Sequence, residues 1–359
     1  MVHIDTALTP ENLRGDIQRV YSAAGEKMLR LDREWDRNQG TPVFTIDGKY
    51  TTRGWTEWTQ GFQFGLPILQ FDGTGENSFL ELGRRRTVEA MAPHVSHTGV
   101  HDHGFNNLST YGNLLRLMKE GRIPQNEWEA EFYHMAIKVS GAVQAARWTE
   151  LPDELGYVYT FNGPHSLFVD TIRSMRILGL AHRFGHVLMG EGDRSISLLR
   201  RALQHAETTA RYNVYFGENR DSYDLRGRTA HEAIFNTNNG TFRCPSSQQG
   251  YSPFSTWTRG HAWVLCGFAE ELEFLSELPD EEFSDLNLPY YQSKAAVLDR
   301  FLEVARAVAD FYIAQMPADG IPYWDTGAPN LHKLGAYQDK PADPFNDWEP
   351  VDSSAAAIA

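Results

Sequence analysis

The sequence predicts an all-α fold arranged as an (α/α)6 toroid, an inner ring of helices wrapped by an outer one. Three observations predict it. Apolar residues recur at helical spacing through nine long stretches, with no long alternation of the β type. Stretches that are apolar on most sides alternate with stretches that keep a polar face, as an inner and an outer ring require. The remaining residues gather in a few long loops rather than in the short turns of a compact bundle.

Taken in order, the spacing predicts helices over 11–37, 56–71, 76–94, 103–119, 125–148, 166–184, 192–213, 258–277 and 291–316. Ser166–Ala181, with Leu167, Phe168, Val169, Ile172, Met175, Ile177 and Leu178, is apolar almost all round and reads as an inner helix. Glu191–Arg211 keeps a polar face through Arg200, Arg201, His205 and Glu207 and reads as an outer one. The long connections are Asn38–Trp55, Tyr215–Thr256 and Asp319–Trp348, all rich in Gly, Pro, Asn and aromatics. Long aromatic loops at one end of a barrel line a site. Near the end, Asp352 or Ser353 has the character of an N-cap, and Ala355–Ala359 opens a helix that stops after about two turns. A full toroid takes roughly twelve helices, so the expectation is a single domain over 1–359 that lacks roughly the last two to three.

With 41% hydrophobic and 22% charged residues, the 359-residue chain has the composition of a globular protein and excludes a disordered one. A net charge of −14 argues against binding nucleic acid or an anionic membrane through the overall field. An anionic ligand would therefore need a locally basic site, for which Arg173, His231, Arg259 and His261 are available. Two cysteines, Cys244 and Cys266, in so long a chain argue against a disulfide framework and suit a reducing compartment. The N-terminal residues show neither a basic start nor an apolar run, so a cytoplasmic location is expected.

Chemistry concentrates around two aspartates. Asp102 in V-H-D-H-G-F and Asp170 in F-V-D-T have apolar and aromatic neighbours, where loss of hydration favours the protonated acid and proton delivery near neutral pH. The competing reading makes both of them helix caps or satisfied core carboxylates. Downstream lie W-T-R-G-H-A-W (Trp257 to Trp263), D-G-I-P-Y-W-D (Asp319 to Asp325) and P-V-D-S-S-A-A-A-I (Pro350 to Ile358). No one of these is specific, but five in this order, from about Trp55 onward, resemble the unsaturated glucuronyl hydrolases of glycoside hydrolase family 88.

The resemblance implies the toroid fold and a hydrolase acting on a uronic sugar with a C4=C5 double bond, at the non-reducing end of a lyase-generated oligosaccharide. That bond is an enol ether, which is protonated at carbon. Asp170 would protonate C4 and then take a proton from the water adding at C5, after which the hemiketal opens and releases the aglycone. A group that serves as acid and then base works best with its pKa raised towards neutrality. Asp102 would support it, orienting substrate hydroxyls and acting on its neighbour through like charge. Carry-over by motif gives His231 for the water or a hydroxyl, Gln249 for the sugar, and Arg259 for planar recognition of a carboxylate. Trp257, Trp263 and Phe62 would stack on sugar faces, with Trp55 or Trp58 near the entrance, although each aromatic alone is as readily explained by core packing. His261 departs from the glutamine expected after R-G in many relatives.

Rival readings have their own signals. His94, His97, His101 and His103 have near-helical spacing that suits a metal, but Thr98 and Gly99 interrupt it, so no metal and no cofactor are expected. An unsaturated rhamnogalacturonyl hydrolase or a polysaccharide lyase could use the same toroid. A lyase would need a Tyr/His/Arg cluster to abstract a proton. A non-catalytic carbohydrate-binding toroid is the third reading. The partner expected is an unsaturated uronic-acid oligosaccharide, with no nucleic acid and no membrane, and the sequence leaves the oligomeric state and the parent polysaccharide open.

Overall fold

The structure, a computed structural model, describes every residue except 53–56, with Glu57 described by its backbone alone. Fourteen α-helical segments are present among the described residues: α1 (Pro10–Glu34), α2 (Gln60–Thr74), α3 (Asn77–Ala90), α4 (Ala92–Val95), α5 (His103–Asn107), α6 (Asn113–Lys119), α7 (Glu127–Ala146), α8 (Thr171–Ser174), α9 (Arg176–Arg183), α10 (Leu198–Tyr212), α11 (Thr258–Ser276), α12 (Glu281–Ser284), α13 (Lys294–Gln315) and α14 (Ser353–Ile358). A π-turn at Leu108–Gly112 joins α5 to α6 as one kinked rod, and α8 runs into α9.

The ring is traced by helices that touch in sequence: α2 meets α5, α5 meets α8, α8 meets α11, and α11 meets α14. Outer helices brace them, with α3 on α2, α7 on α9, α10 on α9 and α13 on α11. Close approach within the inner series depends on glycine. A Cβ at Gly61 of α2 would lie 2.3 Å from Asn106 Cα of α5. The core between the rings is continuous, from Phe64 and Ile68 through Leu114, Ile137 and Leu178 to Phe268 and Phe301.

Among the described residues nine short strands decorate this frame. β1 (Phe44–Ile46) pairs with β2 (Lys49–Thr51), β3 (Trp148–Glu150) with β4 (Gly156–Val158), and β6 (Leu188–Met189) with β7 (Ser195–Ile196). The consequential sheet has the order β5 (Ser166–Phe168), β8 (Glu232–Phe235) and β9 (Phe242–Ser246), antiparallel throughout. Here the sequence reading is corrected. Ser166–Phe168 is not the first turn of a long inner helix but a fully buried strand, and the helix starts only after Asp170. Likewise 192–197 is a short turn and strand, and α10 starts at Leu198 after the Ser197 cap. No helix among the described residues is long and apolar enough to cross a membrane.

Candidate active site

All five inner rods begin at the same end of the ring. Thr59 precedes α2, Asp102 precedes α5, Asp170 precedes α8, Trp257 precedes α11 and Asp352 precedes α14. Each helix start carries partial positive charge from its unpaired N–H groups. Three of these starts also carry an aspartate, Asp102, Asp170 and Asp352, whose negative charge the helix end favours.

Asp102 and Asp170 hold N-cap positions, yet neither carboxylate makes a cap hydrogen bond. Neither carboxylate is therefore used as a helix cap. Both line one cavity of about 190 Å³, together with Trp58, His101, Phe105, Phe168, Gln249, Trp257, Arg259 and Trp263. Each aspartate is 8% exposed. The two helix starts are brought together at Gly104, whose N–H donates to Ser174 Oγ at 2.9 Å.

The β5–β8 pairing sets His231 beside Asp170. Phe168 lies opposite Glu232, and one step further Val169 N–H donates to the His231 carbonyl at 2.8 Å. His231 Nε2 then lies 3.6 Å from Asp170 Oδ1, an electrostatic contact too long for a hydrogen bond. Beyond β9 the chain folds over the imidazole. The N–H groups of Gln248 and Gln249 point to Nδ1 at 3.1 and 3.3 Å. With Nδ1 accepting, the ring proton belongs on Nε2, towards Asp170.

Protonation differs across the pair, in the opposite order to the sequence reading. Burial pushes the Asp102 carboxyl up; His101, with Nε2 3.8 Å from Asp102 Oδ1, opposes this, and the charge of Asp170 adds to it, leaving Asp102 above its ordinary value. Burial pushes Asp170 up too, but His231 and His101 outweigh it, so Asp170 is held below the usual carboxylate value. The raised carboxyl expected at Asp170 is found at Asp102 instead. The reason is His231, which the strand pairing delivers to one aspartate only.

Aromatic rings close the other side. Phe105 and Trp263 meet edge to face with centroids 4.9 Å apart, Phe62 stacks on Trp263 at 6.5 Å, and Trp58 abuts Phe62 at 5.9 Å. Trp257 is 5% exposed and packs on His231 at 4.8 Å, so packing accounts for most of its surface. Trp55 lies outside the described residues. Arg259 crosses the Trp257 ring at 5.2 Å, and its Nη1 reaches Asp352 Oδ2 at 3.4 Å and Ser354 Oγ at 3.1 Å. The motif at 350–358 therefore meets the motif at 257–263 through this arginine. Asp352 also caps α14, accepting from Ala355 N–H at 2.9 Å.

Two sequence candidates for local basicity are corrected. His261 is fully buried in the core, with Nε2 on the Val308 carbonyl at 3.0 Å and Nδ1 near Thr229 Oγ1 at 3.2 Å. Burial lowers its pKa to about 4, so it carries no charge at neutral pH. Arg173 lies behind the aromatic wall, 5.6 Å from the Phe105 ring and 5.9 Å from that of Trp263. Its charge is matched by Glu270 at 2.7 Å. Of the four histidines weighed for a metal, His94 bonds Gln60 at 2.6 Å, His103 bonds Ser140 at 2.7 Å, and His101 faces the cavity. Among the described residues no group of three or more His, Cys, Asp or Glu is arranged to hold a metal ion.

No family model matches the chain. It is similar to the unsaturated glucuronyl hydrolase of Formosa agariphila, at 23% identity over 307 residues, covering 84% of this chain and 61% of the relative. The unsaturated glucuronyl hydrolase of Bacillus sp. strain GL1 is 26% identical over 306 residues, covering 82% of this chain and 66% of the relative. The unsaturated chondroitin disaccharide hydrolase of Streptococcus pyogenes serotype M1 is 21% identical over 303 residues, covering 83% and 64%. The chain thus spans less than two thirds of the length of the curated relatives it matches. Among solved structures, an unsaturated glucuronyl hydrolase specific for heparin superposes with a TM-score of 0.68 at 20% identity, over 95% of this chain and 75% of that one. The enzyme from Bacillus sp. GL1 superposes with a TM-score of 0.65 at 23% identity, over 94% and 73%. The chain is a distant relative of the unsaturated glucuronyl hydrolases and has their (α/α)6 toroid fold.

Proposed function

We propose that the protein is a hydrolase of 4,5-unsaturated uronic acid residues at the non-reducing end of lyase-generated oligosaccharides, acting by hydration of the enol ether. The single observation that carries the reading is the pair of aspartates in one aromatic-walled cavity, each at a helix start and neither spent on the cap.

In the proposed reaction Asp170 protonates C4 and then accepts a proton from the water that adds at C5. The hemiketal opens to a ketone, and the aglycone leaves from C1. In the free protein the pair's proton is favoured on Asp102, since its carboxyl is raised and that of Asp170 is lowered. An anionic sugar entering the cavity excludes water and adds a negative charge, both of which raise the two carboxyls, so that Asp170 takes up a proton beside an Asp102 that is already neutral. Asp102 in its neutral form donates a hydrogen bond to a substrate hydroxyl. His231, with Nε2–H facing Asp170, stabilises the carboxylate between the two proton transfers. Arg259 receives the uronate carboxylate, Gln249 bonds the sugar, and Trp58 and Trp263 flank it. The paucity of cysteine, two in 359 residues, supports a reducing, cytoplasmic setting.

The test is a reaction in heavy water on a panel of unsaturated disaccharides. The absorbance of the C4=C5 bond should vanish as product forms, with one deuterium at C4 in the first-formed product. Later exchange next to the ketone mimics the label, so early time points and an enzyme-free control are required. Absorbance that rises identifies a lyase, and early product without deuterium at C4 refutes hydration.

A further inference from the structure

The D-G-I-P-Y-W-D segment ends in an aspartate that does not touch the cavity. Asp325 is fully buried, and its two carboxylate oxygens divide their work. Oδ2 accepts from Tyr251 N–H at 2.9 Å and Oδ1 from Gly327 N–H at 2.8 Å. The first of these bonds anchors the turn that carries Gln248 and Gln249, the residues whose N–H groups hold His231 Nδ1. The main chain around Asp325 pairs with that around Trp257, through Thr258 N–H to the Trp324 carbonyl at 3.1 Å and Thr326 N–H to the Thr256 carbonyl at 3.0 Å, and the Trp257 ring rests on the same imidazole. The turn closes this tightly because residue 250 has no side chain. A Cβ at Gly250 would lie 2.9 Å from Asp325 Oδ2 and 3.0 Å from Trp257 Cβ.

We propose that Asp325 is a positioning residue that fixes His231 as its Nε2–H tautomer against Asp170, by anchoring the 248–251 turn whose N–H groups hold Nδ1. A buried carboxylate taking two peptide N–H groups is a rigid anchor, and at metal sites the partners that orient a ligating histidine are worth roughly 10–100-fold, a scale carried over to this ring. The inference rests on the proposed role of Asp170, so its test includes a readout that needs no substrate.

With 15N-histidine label, His231 in the native protein should show a bare Nδ1 and a protonated Nε2 at neutral pH. Asp325→Asn turns one acceptor oxygen into a donor, and should give a tautomer mixture at His231. Gly250→Ala, which leaves Asp325 in place but displaces the turn, should do the same. On an unsaturated uronic-acid disaccharide, Asp325→Asn should lower kcat by about 10–100-fold with KM within about twofold. In a His231→Gln background, Asp325→Asn should cost less than about twofold more, because the ring it positions is gone. An unchanged His231 tautomer in both variants, or effects that multiply in the double variant, would overturn the proposal. If the native protein turns over no unsaturated disaccharide, the proposed function fails while the label still decides the role of Asp325.

Discussion

Gly104 and Ser174 are in backbone contact: a Cβ on Gly104 would lie 2.6 Å from Ser174 Cα. Gly104 follows Asp102 by two residues and Ser174 follows Asp170 by four, so this contact sets the spacing of the two carboxylates. Gly104→Ala must push α5 and α8 apart, since the obstructing atoms are backbone. We expect kcat to fall at least about tenfold, together with a loss of stability of about 1–3 kcal/mol from overpacking. Parallel kinetics and thermal melts check this, and full activity in a protein of unchanged Tm would show that the spacing is not critical.

Asp170→Asn should retain the fold by circular dichroism and lose about 10²–10⁴-fold in kcat. Near-native turnover would remove Asp170 from the mechanism.

Asp102→Asn makes a separate point through pH. Because Asp102 is raised and Asp170 lowered, the native pair keeps a proton to higher pH than Asp170 alone would. The falling alkaline limb of kcat/KM should therefore move to lower pH in Asp102→Asn, beyond any overall loss of rate. A limb that stays in place or moves upward would show that Asp102 does not store the proton.

Arg259→Lys keeps the charge but loses the planar fork that meets Asp352, Ser354 and the cavity together. KM for the charged disaccharide should rise about tenfold, the equivalent of about 1.4 kcal/mol, with a smaller change in kcat. An unchanged KM would make Arg259 a brace for α14 alone.

Glu271 lies on α11 away from the site, buried, with Oε1 lacking a hydrogen-bond partner. Burial first, and then the neighbouring Glu270, push its carboxyl well above the ordinary value of 4.5. A raised folded-state pKa means that its contribution to stability is full below about pH 4.5 and is lost as pH rises through the folded value. Glu271→Gln should remove that loss. The variant's advantage should widen by about 1.4 kcal/mol per pH unit while Glu271 titrates, then level off. Thermal melts of both proteins from pH 5 to 8 measure it, and parallel curves would refute the assignment.

The helical frame was legible because it is local. The rod 103–119 is found with the bounds read from its spacing, and Asp352 caps α14 as its residue type suggested. What was not legible depends on partners far along the chain. Leu167, Phe168 and Val169 form a short apolar run that a strand or a helix would satisfy equally, and only pairing with Ala233 and its neighbours decides. One signal went unused. Asn239-Gly240, with Gly240 at φ 69°, marks the turn between β8 and β9. The pairing in turn fixes which aspartate receives His231, and hence the order of the pKa values. His261 was misread against its own periodicity. Arg259 and Trp263 are four residues apart and share a face, which leaves His261 on the opposite one, towards Val308.

The three-stranded sheet also bears on when the site comes into being. Helix pairs such as α2 and α3 join neighbours in sequence, whereas β5 must find β8 across the whole of α8, α9 and α10. Closing so long a loop costs entropy before any contact repays it, so such pairings form late. A refolding chain should regain most of its helical signal while Asp170 and His231 are still apart, and activity should return only in the slower phase. The meeting of Asp170 and His231 is in this sense the last act of folding.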